Sequence, residues 1–412
     1  CRSVIVNVLP PTLTVKTNAL QAAEGYNITF TAEGFPEGGE YNWSAATSIG
    51  GNAATATISS ASTNGVVGGG DNHPVLRATV TYSVGGGGAG CRSTNSHYTI
   101  LAACPYTGSD MVAGSCYQAF TGAQTWRATI NDARISGTAT LHPTEGRKYY
   151  NIVRMPDNKW WFAENVNFQK DLTWEASAGS PFSTTTNGVP GIGHFWCPGG
   201  SSGAVTTSNR AGCNLWGALY TWETAMMVDG KYSDDTKANS TWVEPTTSYC
   251  TYTTEQSLCT QNAGRGTGNH GICPSNWNIP TISDWVNMTN IVETGDKSIG
   301  TTLYWQGTNA GSYLRTHITC PATEPYCFGD DKAANYYRAG QRSKNPYGMT
   351  MLMNGVRRTE LDFNSRGMSA YTHTSTPNQM GSAWFIAMYS TRDEVYTSYL
   401  GRALGQGVRC VR

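Results

Sequence analysis

Charge is scarce in this chain. Lys, Arg, Asp and Glu together make up 14% of its 412 residues, against the roughly 25% usual in soluble domains. Neither sign dominates, since 28 basic residues face 28 acidic ones. The basic excess that nucleic acid or an anionic membrane surface demands is missing, so neither is expected as a partner. Long apolar runs are missing too. No stretch reaches the roughly 18 residues of a spanning helix, and no membrane span is expected. No signal-peptide pattern opens the sequence, which reads as a mature chain or a fragment. Metal-binding spacings are also absent: there is no C-x-x-C pair, and none of the seven His forms H-x-H or H-x-x-x-H.

Cysteine and aromatic residues are plentiful. Twelve Cys stand at loop-sized intervals, with 13 Trp, 22 Tyr and 10 Phe able to fill a core. An even, dispersed cysteine set points to disulfides and to an oxidising compartment, secreted or at the cell surface. Local pairs are expected at Cys250–Cys259 and Cys320–Cys327, and also at Cys104–Cys116 and Cys197–Cys213. Each would close a short loop.

Composition shifts near residue 103. Before it lie short alternating runs such as Leu13-Thr14-Val15, Tyr26 to Thr31 and Leu76 to Tyr82, punctuated by Gly68-Gly69-Gly70 and Gly85 to Gly88. Such runs predict an all-β sandwich over 11–103, with the Gly runs as hairpin loops. Cys1-Arg2-Ser3 and Cys91-Arg92-Ser93 each lead into a strand and a Pro-containing junction. Residues 1–10 are therefore expected to be the last strand of a preceding domain; the rival reading makes Cys1 a lipid-bearing first residue. Together with Pro11-Thr12-Leu13-Thr14-Val15 and Tyr41-Asn42-Trp43-Ser44, this pattern resembles the tandem immunoglobulin-like repeats of Bacteroidetes surface proteins.

Residues 104–412 hold twelve of the thirteen Trp and ten of the twelve Cys. Leu215, Leu219, Trp222 and Met226 fall at helical spacing, which predicts a helix over 215–227. Thr281 to Met288 follows Pro280 with capping chemistry and predicts a second helix. Five motifs recur in order: Asp132-Ala133-Arg134 through Val153 with Trp161 to Phe168; Leu215 to Trp222; Cys273 to Thr281 with Asp284-Trp285; Asn345 to Gly355; and Gly407 to Arg412. In this they are similar to the Fibrobacter succinogenes major paralogous domain. The resemblance implies an α+β C-type-lectin-like fold, related to sulfatase-modifying factors, with long disulfide-stapled loops. Asn276 and Asn278 replace the family's usual Gly and His, so neither position is read as catalytic.

The chemistry is sparse. Glu164 reads as a carboxylate that holds the core. Asp330-Asp331 and the Asp229, Asp234, Asp235 group lack EF-hand spacing and read as solvated loop charge. An enzyme related to formylglycine-generating proteins would need two nearby thiols, whereas Cys273 and Cys410 read as a long-range disulfide closing the fold. No catalytic residue, metal or cofactor is expected. The reading is a non-enzymatic, adhesin-like binding module at the tip of an immunoglobulin-like stalk. Its partners are a host, cell-surface or glycan ligand, and preceding domains or neighbouring subunits; the alternative is a filament subunit. Ligand contacts are expected at Tyr371, His373, Arg392, Tyr396 and Tyr399, because rigid aromatics among small polar residues make a recognition surface. Tyr371, His373, Tyr396 and Tyr399 should then be partly exposed, and Trp384 and Phe385 should belong to the core.

Overall fold

The computed structural model describes residues 11–23, 25–45, 54–58, 67–68, 74–84, 91–119, 125–170, 172–174, 194–198, 210–226, 271–293, 299–300, 303–316, 345–357, 363–364, 367–378, 382–401 and 404–412. The expected strand within 1–10 and the pairs Cys250–Cys259 and Cys320–Cys327 lie outside these residues. The described structure is mostly β-sheet with few helices, and it divides into two compact units, Cys1–Thr129 and Ile130–Arg412.

In the first unit, strands β1 (Thr12–Thr17), β2 (Ala19–Ala22), β3 (Ile28–Phe35), β4 (Glu40–Ala45), β5 (Thr55–Ile58), β6 (Val67–Gly68), β7 (Pro74–Val84), β8 (Cys91–Leu101) and β9 (Tyr117–Ala119) form two sheets. The expected runs at 13–15 and 76–82 fall in β1 and β7, and the run at 26–31 enters β3 from Ile28. Alternation sends Leu13 of β1, Ile28, Phe30 and Ala32 of β3, and Ala78, Val80 and Tyr82 of β7 into one shared core. Trp43 lies in the same core, 6.5 Å from the Phe30 ring. The chain changes sheets after one strand: β1 pairs antiparallel with β3, and β2 then runs parallel to β8. At that crossing the Thr17 and Thr99 hydroxyls are 3.0 Å apart, and Thr99 also donates to the Ala19 carbonyl at 3.0 Å. These bonds satisfy oxygens that would otherwise be buried without partners.

The compact units divide at 129/130. Residues 104–119 stay with the first unit because β9 pairs with β2, Ala23 N–H donates to the Cys116 carbonyl at 2.9 Å, and Cys104–Cys116 closes the loop.

The second unit is drawn together by its final residues. The Gly405 and Arg357 main chains bond reciprocally, as do Gln406 and Tyr220, Val411 and Asn278, and Arg412 and Trp160. Cys410 accepts from the Phe162 N–H and forms the expected disulfide with Cys273. Arg409 is fully buried; its guanidinium donates to Asn165 Oδ1, Phe162 O, Met349 O and Thr350 O at 2.6–2.8 Å. Burial lowers its pKa to about 9, opposed by the Glu164 charge. Around this tail lies an aromatic core: Trp161 meets Trp285 at 4.8 Å, and Phe162 meets Trp277 edge-on at 4.8 Å.

The helix expected after Pro280 is Ile282–Val292. Thr281 and Asp284 close a reciprocal capping box at its start. The helix expected over 215–227 is not continuous. Helices Arg210–Trp216 and Trp222–Met226 flank a short strand, Leu219–Tyr220. Gly217 turns left-handed with φ +78, which ends the first helix. Leu219 and Tyr220 then pair with Trp196 and Phe195. Tertiary pairing thus overrides the helical spacing. The expected disulfide Cys197–Cys213 joins these same elements. Among the described residues, no helix is long and apolar enough to cross a membrane.

Candidate functional site

Four antiparallel strands in the order Tyr304–Gln306, Val395–Gly401, Ser382–Tyr389, Ser369–Pro377 form the main sheet of the second unit. Alternation gives it two unlike faces. Ala370, Ile386, Met388 and Val395 join the large core, with half-buried Trp384 against it. Tyr371, Phe385 and Ala387 form a second cluster, with Tyr389, Tyr396 and Leu400 packed on it.

That second cluster grades from buried to exposed. Tyr371 and Phe385 stack at 5.4 Å at its base. Tyr396 lies 6.0 Å from Phe385, 6.0 Å from Tyr389 and 4.9 Å from Trp305. Trp305 also meets Tyr389 edge-on at 4.8 Å. At the rim, Tyr304 is 61% exposed and 6.3 Å from Tyr396. The exposed Arg392 guanidinium lies 4.5 Å from the centre of the Trp305 ring, a cation–π contact.

A buried arginine holds the turn that presents Arg392. Arg315 Nη1 donates to the carbonyls of Tyr389 and Arg392, and Nη2 lies 3.4 Å from Asp393 Oδ1. Arg392 itself is 3.9 Å from Glu394. Two cations therefore face two carboxylates across this turn. Tyr304 sits at φ +82, a left-handed conformation that is an outlier for a bulky residue. The strand register Tyr304↔Thr397, Trp305↔Tyr396 and Gln306↔Val395 holds it there.

The structure brings Tyr371, Arg392 and Tyr396 into this one cluster, but it corrects the exposure expected for two residues. Tyr371 is 6% exposed and forms the base of the cluster. His373 is 2% exposed and belongs to the core. Its Nε2 lies 2.8 Å from the Tyr220 carbonyl, an acceptor only, so Nε2 carries the proton. Burial pulls its pKa down to about 4, partly offset by that bond. Thr372, Thr374 and Ser375 beside it are also buried. A strand rich in Tyr, His, Thr and Ser is thus interior here: His373 and Thr374 bond the Tyr220 and Trp384 carbonyls, whereas the buried Ser369 and Thr372 hydroxyls have no protein partner among the described residues. Tyr399, 38% exposed, lies on the opposite face, edge-on to Trp384 at 6.0 Å. Phe385 is buried as expected, whereas Trp384 is only half-buried and packs against the core from outside. Tyr304 and Trp305 beside the cluster were not legible as its partners in the sequence, where only their adjacency marks them.

Glu164 accepts from Asn151 Nδ2 at 3.0 Å and pairs with Arg147 at 3.3 Å, holding two strands together. Among the described residues, no group of three His, Cys, Asp or Glu could hold a metal ion. Asp229, Asp234, Asp235, Asp330 and Asp331 lie outside them. So does Gly199-Gly200-Ser201-Ser202-Gly203, which carries the letters of a G-x-S-x-G motif within a Gly/Ser run.

The family model of the Fibrobacter succinogenes major domain matches residues 156–412, more than half of the chain. Four of the five motifs lie wholly or largely in that span; the Asp132 to Val153 stretch precedes it. No curated protein and no solved structure matches the chain significantly.

Proposed function

The chain belongs to the Fibrobacter succinogenes major domain family, and we propose that its C-terminal unit is a non-enzymatic, adhesin-like binding module of the bacterial surface. The observation that carries this reading is the graded aromatic cluster. Buried Tyr371 and Phe385 fix the half-exposed rings of Tyr389, Tyr396 and Trp305, and Tyr304 and Arg392 reach solvent. Pre-set aromatic and arginine side chains bind with little ordering cost.

Other features support the setting. Three disulfides among the described residues fit an oxidising, extracellular location. The sheet change from β1 to β2, the parallel β2–β8 pair and the core Trp43 support an immunoglobulin-like first unit. The return of residues 410–412 to the strand Trp160–Phe162 supports a C-type-lectin-like second unit with neighbouring ends. Cys273 and Cys410 are bonded to each other and supply no free thiols, which favours binding over formylglycine-type chemistry.

Adhesion of the full chain to intact host epithelial cells tests this reading. The Tyr304→Ala/Arg392→Ala double variant should keep its thermal midpoint and lose most adhesion. Equal adhesion by both proteins would place binding elsewhere.

A further inference from the structure

We propose that the ligand seated on this face is a neutral saccharide, stacked on the Tyr304 ring beside Tyr396 and Trp305. This rests on the face being the binding surface proposed above; the chemistry of the rim then selects the ligand class.

The first argument is charge. Arg392 is offset by Glu394 at 3.9 Å, and Asp393 is engaged by the buried Arg315 at 3.4 Å. The described rim therefore has no net charge. A phosphate, a nucleotide or an acidic sugar carries an anion that calls for an uncompensated cation, whereas a neutral ligand loses nothing here.

The second argument is shape. Among the described residues, the exposed part of this face is the Tyr304 ring flanked by the half-exposed rings of Trp305, Tyr389 and Tyr396, flat aromatic surface on which a sugar ring can stack. A pyranose presents a face of C–H groups with slight positive charge, which fits the negative face of an aromatic ring. Its equatorial hydroxyls need small polar partners. The hydroxyls of Tyr304 and Tyr396 supply them, together with Ser398, which alternation places on the same face as Tyr396.

The third argument is the edge. Among the described residues, Tyr304–Gln306 is the outer strand of the sheet and only three residues long. That is too short to template an added peptide strand, the usual way a sheet edge captures extended protein. The same strand holds Tyr304 left-handed at φ +82. An exposed aromatic kept in an unfavourable backbone conformation serves presentation rather than packing.

The test titrates the full chain with neutral gluco-, manno- and galacto-oligosaccharides and, in parallel, with uronic-acid oligosaccharides. Calorimetry and tryptophan fluorescence are the readouts. Saturable binding of a neutral series is expected. Tyr304→Ala should weaken it roughly tenfold or more, Tyr304→Phe should change it by less than about threefold because the ring is kept, and Tyr399→Ala on the opposite face should leave it unchanged. Binding of only the acidic series, or neutral binding indifferent to Tyr304→Ala, overturns the proposal. Absence of saccharide binding while cell adhesion still depends on Tyr304 overturns the ligand class and leaves the binding surface standing. If adhesion is also indifferent to Tyr304, both readings fall.

Discussion

The phenol oxygens of Tyr371 and Tyr389 share a hydrogen bond, which links the buried base of the aromatic cluster to its half-exposed layer. Tyr389 in turn meets Trp305 and Tyr396 edge-on. A buried strand thereby sets the position of rings that face solvent.

Tyr371→Phe tests that link. Removing one hydroxyl leaves the ring stack on Phe385 intact, so the stability loss should be about 1 kcal/mol. Binding should weaken through misplacement of Tyr389, and Tyr389→Phe should produce no further loss in the double variant. Additive losses in stability and binding would mean that the two hydroxyls act independently.

His373 supplies a pH dependence. Its folded pKa is lowered to about 4 by burial, against an ordinary value of about 6.5 in the unfolded chain. The unfolded state therefore binds a proton that the folded state refuses. This contribution to stability is complete above pH 6.5 and is lost as pH falls from 6.5 towards 4, by about 3 kcal/mol in all. His373→Gln keeps a donor for the Tyr220 carbonyl but does not titrate. Thermal midpoints measured from pH 7 to 4 should fall more steeply for the native chain than for this variant, and parallel curves would contradict the assignment.

Gly146 should tolerate no side chain. It sits at φ +103, and an added Cβ would stand 1.9 Å from the Asn167 carbonyl oxygen. The contact is backbone on backbone, where Arg147 N–H donates to that same oxygen at 2.7 Å. Gly146→Ala should cost more than about 2 kcal/mol, as read by denaturant unfolding. A near-neutral effect would mean that the 146–168 crossing is looser than this.

The Cys273–Cys410 bond joins residues 137 apart. In the chain-entropy picture, such a long closure contributes on the order of 4–5 kcal/mol. The Cys273→Ser/Cys410→Ser variant should lose much of the near-ultraviolet signal of Trp161, Trp277 and Trp285 under conditions where the native chain is folded. Retention of that signal with an unchanged midpoint would show that the hydrogen bonds of Arg409 and residues 405–412 suffice alone.

Local signals in the sequence carried through where local physics decides. Strands β1, β3 and β7 follow their alternating runs, the Thr281–Asp284 box starts its helix, and Cys104, Cys116, Cys197, Cys213, Cys273 and Cys410 pair as expected. The misreadings arose where distant segments decide. Leu219 and Tyr220 follow a helical spacing, yet they are claimed as a strand by Phe195 and Trp196. Tyr371 and His373 have surface-like neighbours in sequence, but Gly407 and Tyr220 cover them from elsewhere in the chain. Arg392 and Tyr396 were legible as solvent-facing members of the aromatic cluster. Tyr304 and Trp305 were not, because their partner strand lies some ninety residues downstream.

Residue-resolved tyrosine and tryptophan footprinting of the full chain, free and adherent to a glycan-bearing surface, tests the central claim most directly. In the free chain Tyr304 and Tyr399 should label readily, and Tyr371 and Tyr150 should not. On adherence, labelling of Tyr304, Trp305 and Tyr396 should fall, while Tyr399 on the opposite face keeps its free-state level. Protection of Tyr399 with Tyr304 unchanged would contradict the account and assign binding to the other face of the sheet.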